Sequence, residues 1–244
     1  MNEYEFPLNE RIRKFLRIEE VFNKMEAQIL MRKEFSVYSC FNTLFDIMGY
    51  ASRADLKVEL IQEIEKQRLK IKTKIKTKKN IKITYDLDRI RVKLEKSKTL
   101  SGFNFGDDKF LHEIKTRSDS PYGILSSDFP EFQFWLERAS FSDRKAYFKK
   151  KLDGFMPIKY AVTYLIGLLR CNVETNPMQT RNGSIQYKLN PLLKNDLVII
   201  TLGKSSNYFP VISANKYAVN VHFSTNQSIS KLKLIKFKLG VASF

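Results

Sequence analysis

Arg11, Arg13 and Arg17 lie within two helical turns near the start of the chain. An arginine carries a planar fork of donors that can bond both oxygens of a carboxylate, so three on one short segment can recognise acidic groups. Composition alone gives a blander reading: a solvated helix face, with Glu10 and Glu20 among its salt-bridge partners. A second basic feature, Lys70–Lys79, alternates lysine with isoleucine and threonine. It is too regular for a specific site and reads as a solvated arm or a sequence-independent anion contact. The residues that could do covalent or acid–base work are sparse. The two histidines, His112 and His222, are far apart, and Asp107-Asp108 forms no evident acid–base pair. Cys40 and Cys171 each lie in an apolar stretch without CxxC spacing and read as buried small hydrophobes. GxSxG, HExxH, GxGxxG and a Walker-type lysine loop are absent, and nine glycines leave little for a phosphate cradle. The expectation is a non-enzymatic protein with no catalytic residues, no metal and no cofactor.

The net charge is +17, from 43 Lys+Arg against 26 Asp+Glu. Such a field attracts acidic partners without naming them; nucleic acid, anionic lipid and an acidic peptide all fit. The chain is 43% hydrophobic, enough for a core. The sequence reading finds no apolar run of the roughly 18 residues that span a bilayer. The start, Met1-Asn2-Glu3-Tyr4-Glu5, is acidic and polar, unlike a secretory signal. A cytosolic protein without a membrane partner is expected.

The elements that would position these residues are legible in part. Residues 8–31 read as a helix through Leu8, Ile12, Phe15, Leu16, Phe22 and Ile29, with Pro7 at its start. Phe35 to Met48 reads as a short buried helix stopped by Gly49. Ser52 reads as an N-cap with Asp55 as its acidic partner. The helix that follows shows two apolar faces, one through Leu56, Leu60 and Ile64 and a second through Val58, Ile61 and Leu69. Helix resumes near Thr84, so 53–100 reads as an antiparallel helical hairpin. Phe103–Ser120 is mixed, and Pro121-Tyr122-Gly123 is a turn. Phe132–Glu137 fits either a strand or an aromatic turn of helix. Residues 142–152 and 157–170 read as two helices, the second apolar nearly all round. Past Cys171 short β-rich runs follow: Ile185–Leu189, Leu197–Leu202, Tyr217–Phe223 and Ile229–Leu239, with Asn182-Gly183 as a hairpin signal. The fold class is α+β: an N-terminal α-helical domain, 1–171, packed against a smaller antiparallel β-strand domain, 172–244, with 130–138 as one further candidate strand.

The opening Tyr4-Glu5-Phe6-Pro7-Leu8-Asn9-Glu10-Arg11-Ile12-Arg13-Lys14-Phe15-Leu16-Arg17-Ile18-Glu19 resembles the N-terminus of the ZapD (YacF-type) cell division family. The likeness continues through Arg53-Ala54-Asp55-Leu56, Asp128-Phe129-Pro130, Trp135-Leu136, Asn182-Gly183, Tyr208-Phe209-Pro210-Val211-Ile212-Ser213 and Ile235-Lys236-Phe237-Lys238-Leu239. It is weakest over about 70–120. The resemblance implies a dimeric protein that binds the C-terminal tail of the tubulin-like FtsZ, cross-links FtsZ filaments in the cytoplasm at mid-cell, and has no catalytic site. By the same resemblance the tail-binding candidates are Arg13, Arg17, Arg53, Lys109, Lys216 and His222, with Arg17 and Lys109 also candidates for steadying the dimer. Lys109 and His222 stand where arginine is familiar, and Gln133 where the family can show histidine. The charge and the Lys70–Lys79 arm exceed what the family implies. The competing reading is a basic nucleic-acid-binding protein, compatible with the charge and the aromatics but without an RRM, KH or zinc-finger signature.

Overall fold

The computed structural model describes residues 1–33, 35–73, 77–97, 108–119, 128–226 and 234–244. The expected turn at 121–123, all of 103–107 and residues 229–233 of the expected last strand lie outside the described residues, as do Lys74-Ile75-Lys76 of the basic arm. The architecture is α+β: α-helices dominate the first part of the chain and two antiparallel sheets the last. Contacts divide it into two compact units, Met1–Leu16 with Tyr164–Phe244, and Arg17–Thr163.

The first unit contains the sheets. The acidic, polar start Met1–Glu5 and the residues up to Pro7, for which no strand is expected, contribute strand β1 (Asn2–Pro7). The other strands are β2 (Glu174–Thr180), β3 (Ser184–Lys188), β4 (Leu197–Leu202), β5 (Phe209–Ala214), β6 (Ala218–Ser224) and β7 (Ile235–Ala242). Their orders are β1-β4-β7-β2 and β3-β6-β5. β4, Leu-Val-Ile-Ile-Thr-Leu, is buried along its whole length, the pattern of a central strand covered on both faces. β7 buries Ile235, Phe237 and Leu239 while Lys236 and Lys238 face outward, the alternation expected of one solvated basic face. Both sheets share one core, in which Phe223 of β6 meets Phe237 of β7 at 4.8 Å between ring centroids. β1 is held by its register with β4, Tyr4 opposite Ile200 and Phe6 opposite Val198. Glu5 adds a two-pronged pair with Arg170, at 2.6 and 2.8 Å.

Asn182-Gly183 does turn the chain, and Gly183 has the positive φ of 68° that favours glycine. The strands it joins do not pair, however: β2 bonds β7 and β3 bonds β6. A hairpin dipeptide specifies the turn but not the sheet to which each flanking strand is recruited.

The second unit is helical. It takes most of α1 (Glu10–Ile29), then α2 (Phe35–Ala51), α3 (Ala54–Lys72), α4 (Lys78–Lys96), α5 (Lys109–Ser118), α6 (Pro130–Arg138), α7 (Phe141–Leu152) and the start of α8 (Met156–Cys171). Its core centres on Phe41, fully buried, with Phe148 at 4.8 Å, Phe132 at 5.9 Å and Trp135 at 6.0 Å in edge-on arrangements. Residues 130–138 are therefore helix, not strand. Pro130 pre-sets the first turn, and helical spacing lets Phe132 and Trp135 turn towards Phe41 together. The α3–α4 pair is antiparallel, as the ion pairs Glu65–Arg91 (3.0 Å) and Arg68–Asp88 and the bond from Lys57 Nζ to the Ser97 carbonyl (2.9 Å) require.

Five local expectations are corrected. α2 runs through Gly49 to Ala51, and the residue capping α3 is Arg53 with no side-chain bond; Ser52 Oγ turns back to the Gly49 carbonyl instead. The second apolar face of α3 is largely open: Val58 and Leu69 are 53% and 64% exposed, and Ile61 is half-buried. Cys171 is exposed, whereas Cys40 is buried; burial pushes the Cys40 thiol up to about 11. Finally, the continuous helical stretch Phe141–Cys171 contains a window of mean hydropathy 1.2, long and apolar enough by composition to cross a membrane. Within α8, Ile158, Ala161, Val162, Leu165, Ile166 and Leu169 are buried in the protein, which is how a core helix meets the same criterion.

Candidate functional site

The sheet-bearing unit holds a groove of about 700 Å³ between the start of α1 and two loops. It is built from a small set of capping interactions. Asn9 caps α1: its Oδ1 accepts from the Ile12 N–H at 3.0 Å. Its amide donates to Asp196 Oδ1 at 2.7 Å. Asp196 is fully buried, and its other oxygen accepts from the Phe244 N–H at 2.8 Å. The Asp196 backbone accepts from the Leu8 N–H and donates to the Ala242 carbonyl, both at 2.9 Å. One carboxylate thus ties the helix start, the β3–β4 loop and the chain end together.

On that frame Arg11 and Arg13 project from the first turn of α1 and line the groove. Arg13 is paired with Glu10 at 3.5 Å, and its side chain remains 38% exposed. The exposed part of the Arg13 side chain, its outer guanidinium edge, is what the groove presents to an acidic group.

The opposite side comes from the β5–β6 turn and the β3–β4 loop. In the turn, Asn215 Oδ1 accepts from the Tyr217 and Ala218 N–H groups at 2.8 and 2.9 Å, and this presents the exposed Lys216. In the loop, Asn190 accepts from the Leu192 N–H and the Asn195 amide, which holds Pro191, Leu193 and Lys194 along the edge. Leu193 is 61% exposed, and Phe6, Leu8 and Leu189 complete an apolar lining. The chemistry on offer is cationic groups at the rim with apolar side chains between them, suited to a short peptide carrying both carboxylates and apolar residues.

Of the candidates named from sequence, Arg13 and Lys216 come together in this groove. His222 belongs to the same unit but is outside the lining; it is exposed on β6 and bonded to Ser184 Oγ at 2.9 Å. Arg17, Arg53 and Lys109 belong to the helical unit. Arg17 is exposed on α1, Arg53 lies over the Tyr50 ring at 5.9 Å, and Lys109 is the exposed first residue of α5. Beside Lys109, Asp108 accepts from the Leu111 N–H at 2.9 Å and pairs with Lys151. Burial alone would raise the Asp108 carboxyl; the bond and charge of Lys151 and the Leu111 N–H outweigh it and hold it below its ordinary value.

Sequence reasoning missed Asp196, Lys194 and Leu193. The first carries no motif, and the other two acquire meaning only when the loop is closed against α1. A second cavity of about 550 Å³ lies on the four-stranded sheet by Met1, Met178, Lys236 and Lys238, and none of the six candidates lines it. Among the described residues, no group of three His, Cys, Asp or Glu could hold a metal ion.

The chain matches the family model for ZapD, described as a cell division protein, over residues 16–222. It is also similar along nearly its whole length to several curated proteins. The "Cell division protein ZapD" of Aromatoleum aromaticum is 28% identical over 237 residues, 95% of this chain and 91% of that protein. The protein of that name from Dechloromonas aromatica is 29% identical over 226 residues, 91% of this chain and 89% of the relative. That of Janthinobacterium sp. (strain Marseille) is 29% identical over 251 residues and 99% of each chain.

Proposed function

We propose a function from one premise: the chain belongs to the ZapD family of cell division proteins. In this reading it is a non-enzymatic homodimer that grips the C-terminal tail of FtsZ and bundles FtsZ filaments, stabilising the Z ring in the cytoplasm at mid-cell. The observation that carries the reading is the groove in which Arg13 and Lys216 flank an apolar lining. Arg13 and Lys216 contact the tail's carboxylates. Arg17, Arg53, Lys109 and His222 are further tail contacts, or in the case of Arg17 and Lys109 supports of the dimer.

The energetics suit a cross-linker. Exposed ion pairs contribute roughly 0–1 kcal/mol each, so Leu193 and its apolar neighbours must supply much of the attraction. Micromolar binding of one tail corresponds to about −8 kcal/mol. A dimer with two grooves facing filaments with many tails gains avidity without new contacts. Diffusional encounter is steered by the +17 charge and screened beyond about 8–10 Å at physiological salt.

Co-sedimentation with polymerised FtsZ tests the proposal. The protein should pellet and bundle intact filaments but not filaments lacking the tail, and added salt should weaken bundling. Equal pelleting of tail-less filaments would overturn the reading. So would tight duplex DNA binding in a gel shift with no filament pelleting.

A further inference from the structure

Outside the groove, a cluster of exposed cationic side chains flanks the turn between α3 and α4, within the helical unit. From Lys66 to Tyr85 the sequence holds no acidic residue. Arg68 is committed to Glu65 and Asp88. Lys70, Lys72, Lys78, Lys79 and Lys82 are exposed and form no ion pair among the described residues. Apolar side chains stand open among them. On α4, Ile81 and Tyr85, one turn apart, are 60% and 66% exposed. They share with Ile71 and Lys72 of α3 a shallow cleft of about 330 Å³. Leu69 is a further 64% exposed.

We infer that this hairpin end docks on an anionic bilayer surface, with Ile81 and Tyr85 entering the headgroup region and the lysines on the phosphates. The argument is the coincidence of two features that lipid rewards together. Binding of an interfacial helix grows with buried apolar area and with attraction to anionic lipid. Each lysine near such a leaflet is worth about five-fold in partitioning. A nucleic-acid duplex rewards the lysines but offers Ile81 and Leu69 no apolar phase to enter. A second copy of the chain would bring two lysine clusters face to face, so self-association through this end is opposed by charge. The contact needs no spanning segment, and it uses no residue of the peptide groove.

Vesicle flotation at low and high salt tests it, with full-length protein and vesicles of phosphatidylcholine alone or with about a third phosphatidylglycerol. Two variants divide the contributions: K70Q/K72Q/K78Q/K79Q/K82Q removes charge, and I81Q/Y85Q removes apolar surface while keeping helix-forming residues. Unchanged thermal unfolding and an unchanged far-UV circular dichroism spectrum report that each remains folded. The wild type should float with phosphatidylglycerol vesicles only, and less at high salt. The charge variant should lose about tenfold or more, and the apolar variant about threefold or more. Failure to float, equal flotation with neutral vesicles, or an apolar variant that floats like wild type would overturn the inference. So would duplex DNA binding tighter than vesicle binding and insensitive to I81Q/Y85Q.

Discussion

The carboxamide of Asn9 donates to the buried carboxylate of Asp196 across 2.7 Å and 187 positions of sequence. This bond joins the cap of α1 to the end of the loop that closes the groove, alongside the Leu8 N–H bond to the Asp196 carbonyl. Replacing Asn9 by alanine removes the cap and leaves Asp196 short of a donor. Loss of about 1–3 kcal/mol is expected, read as a lowered urea midpoint at unchanged m-value. Asp196→Ala should cost at least as much, because the Asn9 amide and the Phe244 N–H lose their acceptors together.

Gly240 makes a different kind of demand. A Cβ there would lie 2.4 Å from Val173 Cγ1 and 2.9 Å from the Glu174 carbonyl oxygen. The backbone oxygen cannot rotate away as a side chain can. Gly240→Ala should therefore destabilise by about 1–3 kcal/mol, measurable as a fall in Tm.

In the groove, charge and apolar surface should separate experimentally. Arg13→Ala and Lys216→Ala should each weaken a tail peptide a few-fold and flatten the salt dependence, as exposed ion pairs of up to about 1 kcal/mol imply. Leu193→Asp should weaken it more, by about tenfold, because it removes apolar contact and repels the peptide's carboxylates. Titration calorimetry at two ionic strengths distinguishes the two classes.

The pH dependence of the helical unit should carry the signature of Asp108. Its carboxyl is lower in the folded chain than in the unfolded one. Its contribution is therefore complete above the ordinary aspartate value of about 4 and is lost as the pH falls through the folded value. Asp108→Asn keeps a good cap while removing the charge. The variant should lose less stability than wild type between about pH 5 and pH 2, as followed by urea unfolding.

The sequence carried the helices well because their apolar residues repeat at helical spacing, as at Leu56, Leu60 and Ile64. It carried β4 and β7 through their buried run and their alternation. Strand β1 was hidden because Asn2–Pro7 is polar at its start and its pairing with β4 is made across nearly the whole chain. Phe132 and Trp135 fitted either period, and only the Phe41 core decides for helix. Among residues that line the groove, Arg13 and Lys216 are named by the family likeness. Asp196 was not legible, since a lone aspartate at the end of a loop looks solvated until the fold buries it.

The central claim is that the groove flanked by Arg13 and Lys216 captures the FtsZ tail. Titrating a tail peptide into wild type and into the double variant R13E/K216E tests it most directly. The account predicts micromolar binding to wild type and about tenfold or weaker binding to the variant, a difference of about 1.4 kcal/mol or more, at unchanged Tm. Equal affinity for the two proteins would contradict it.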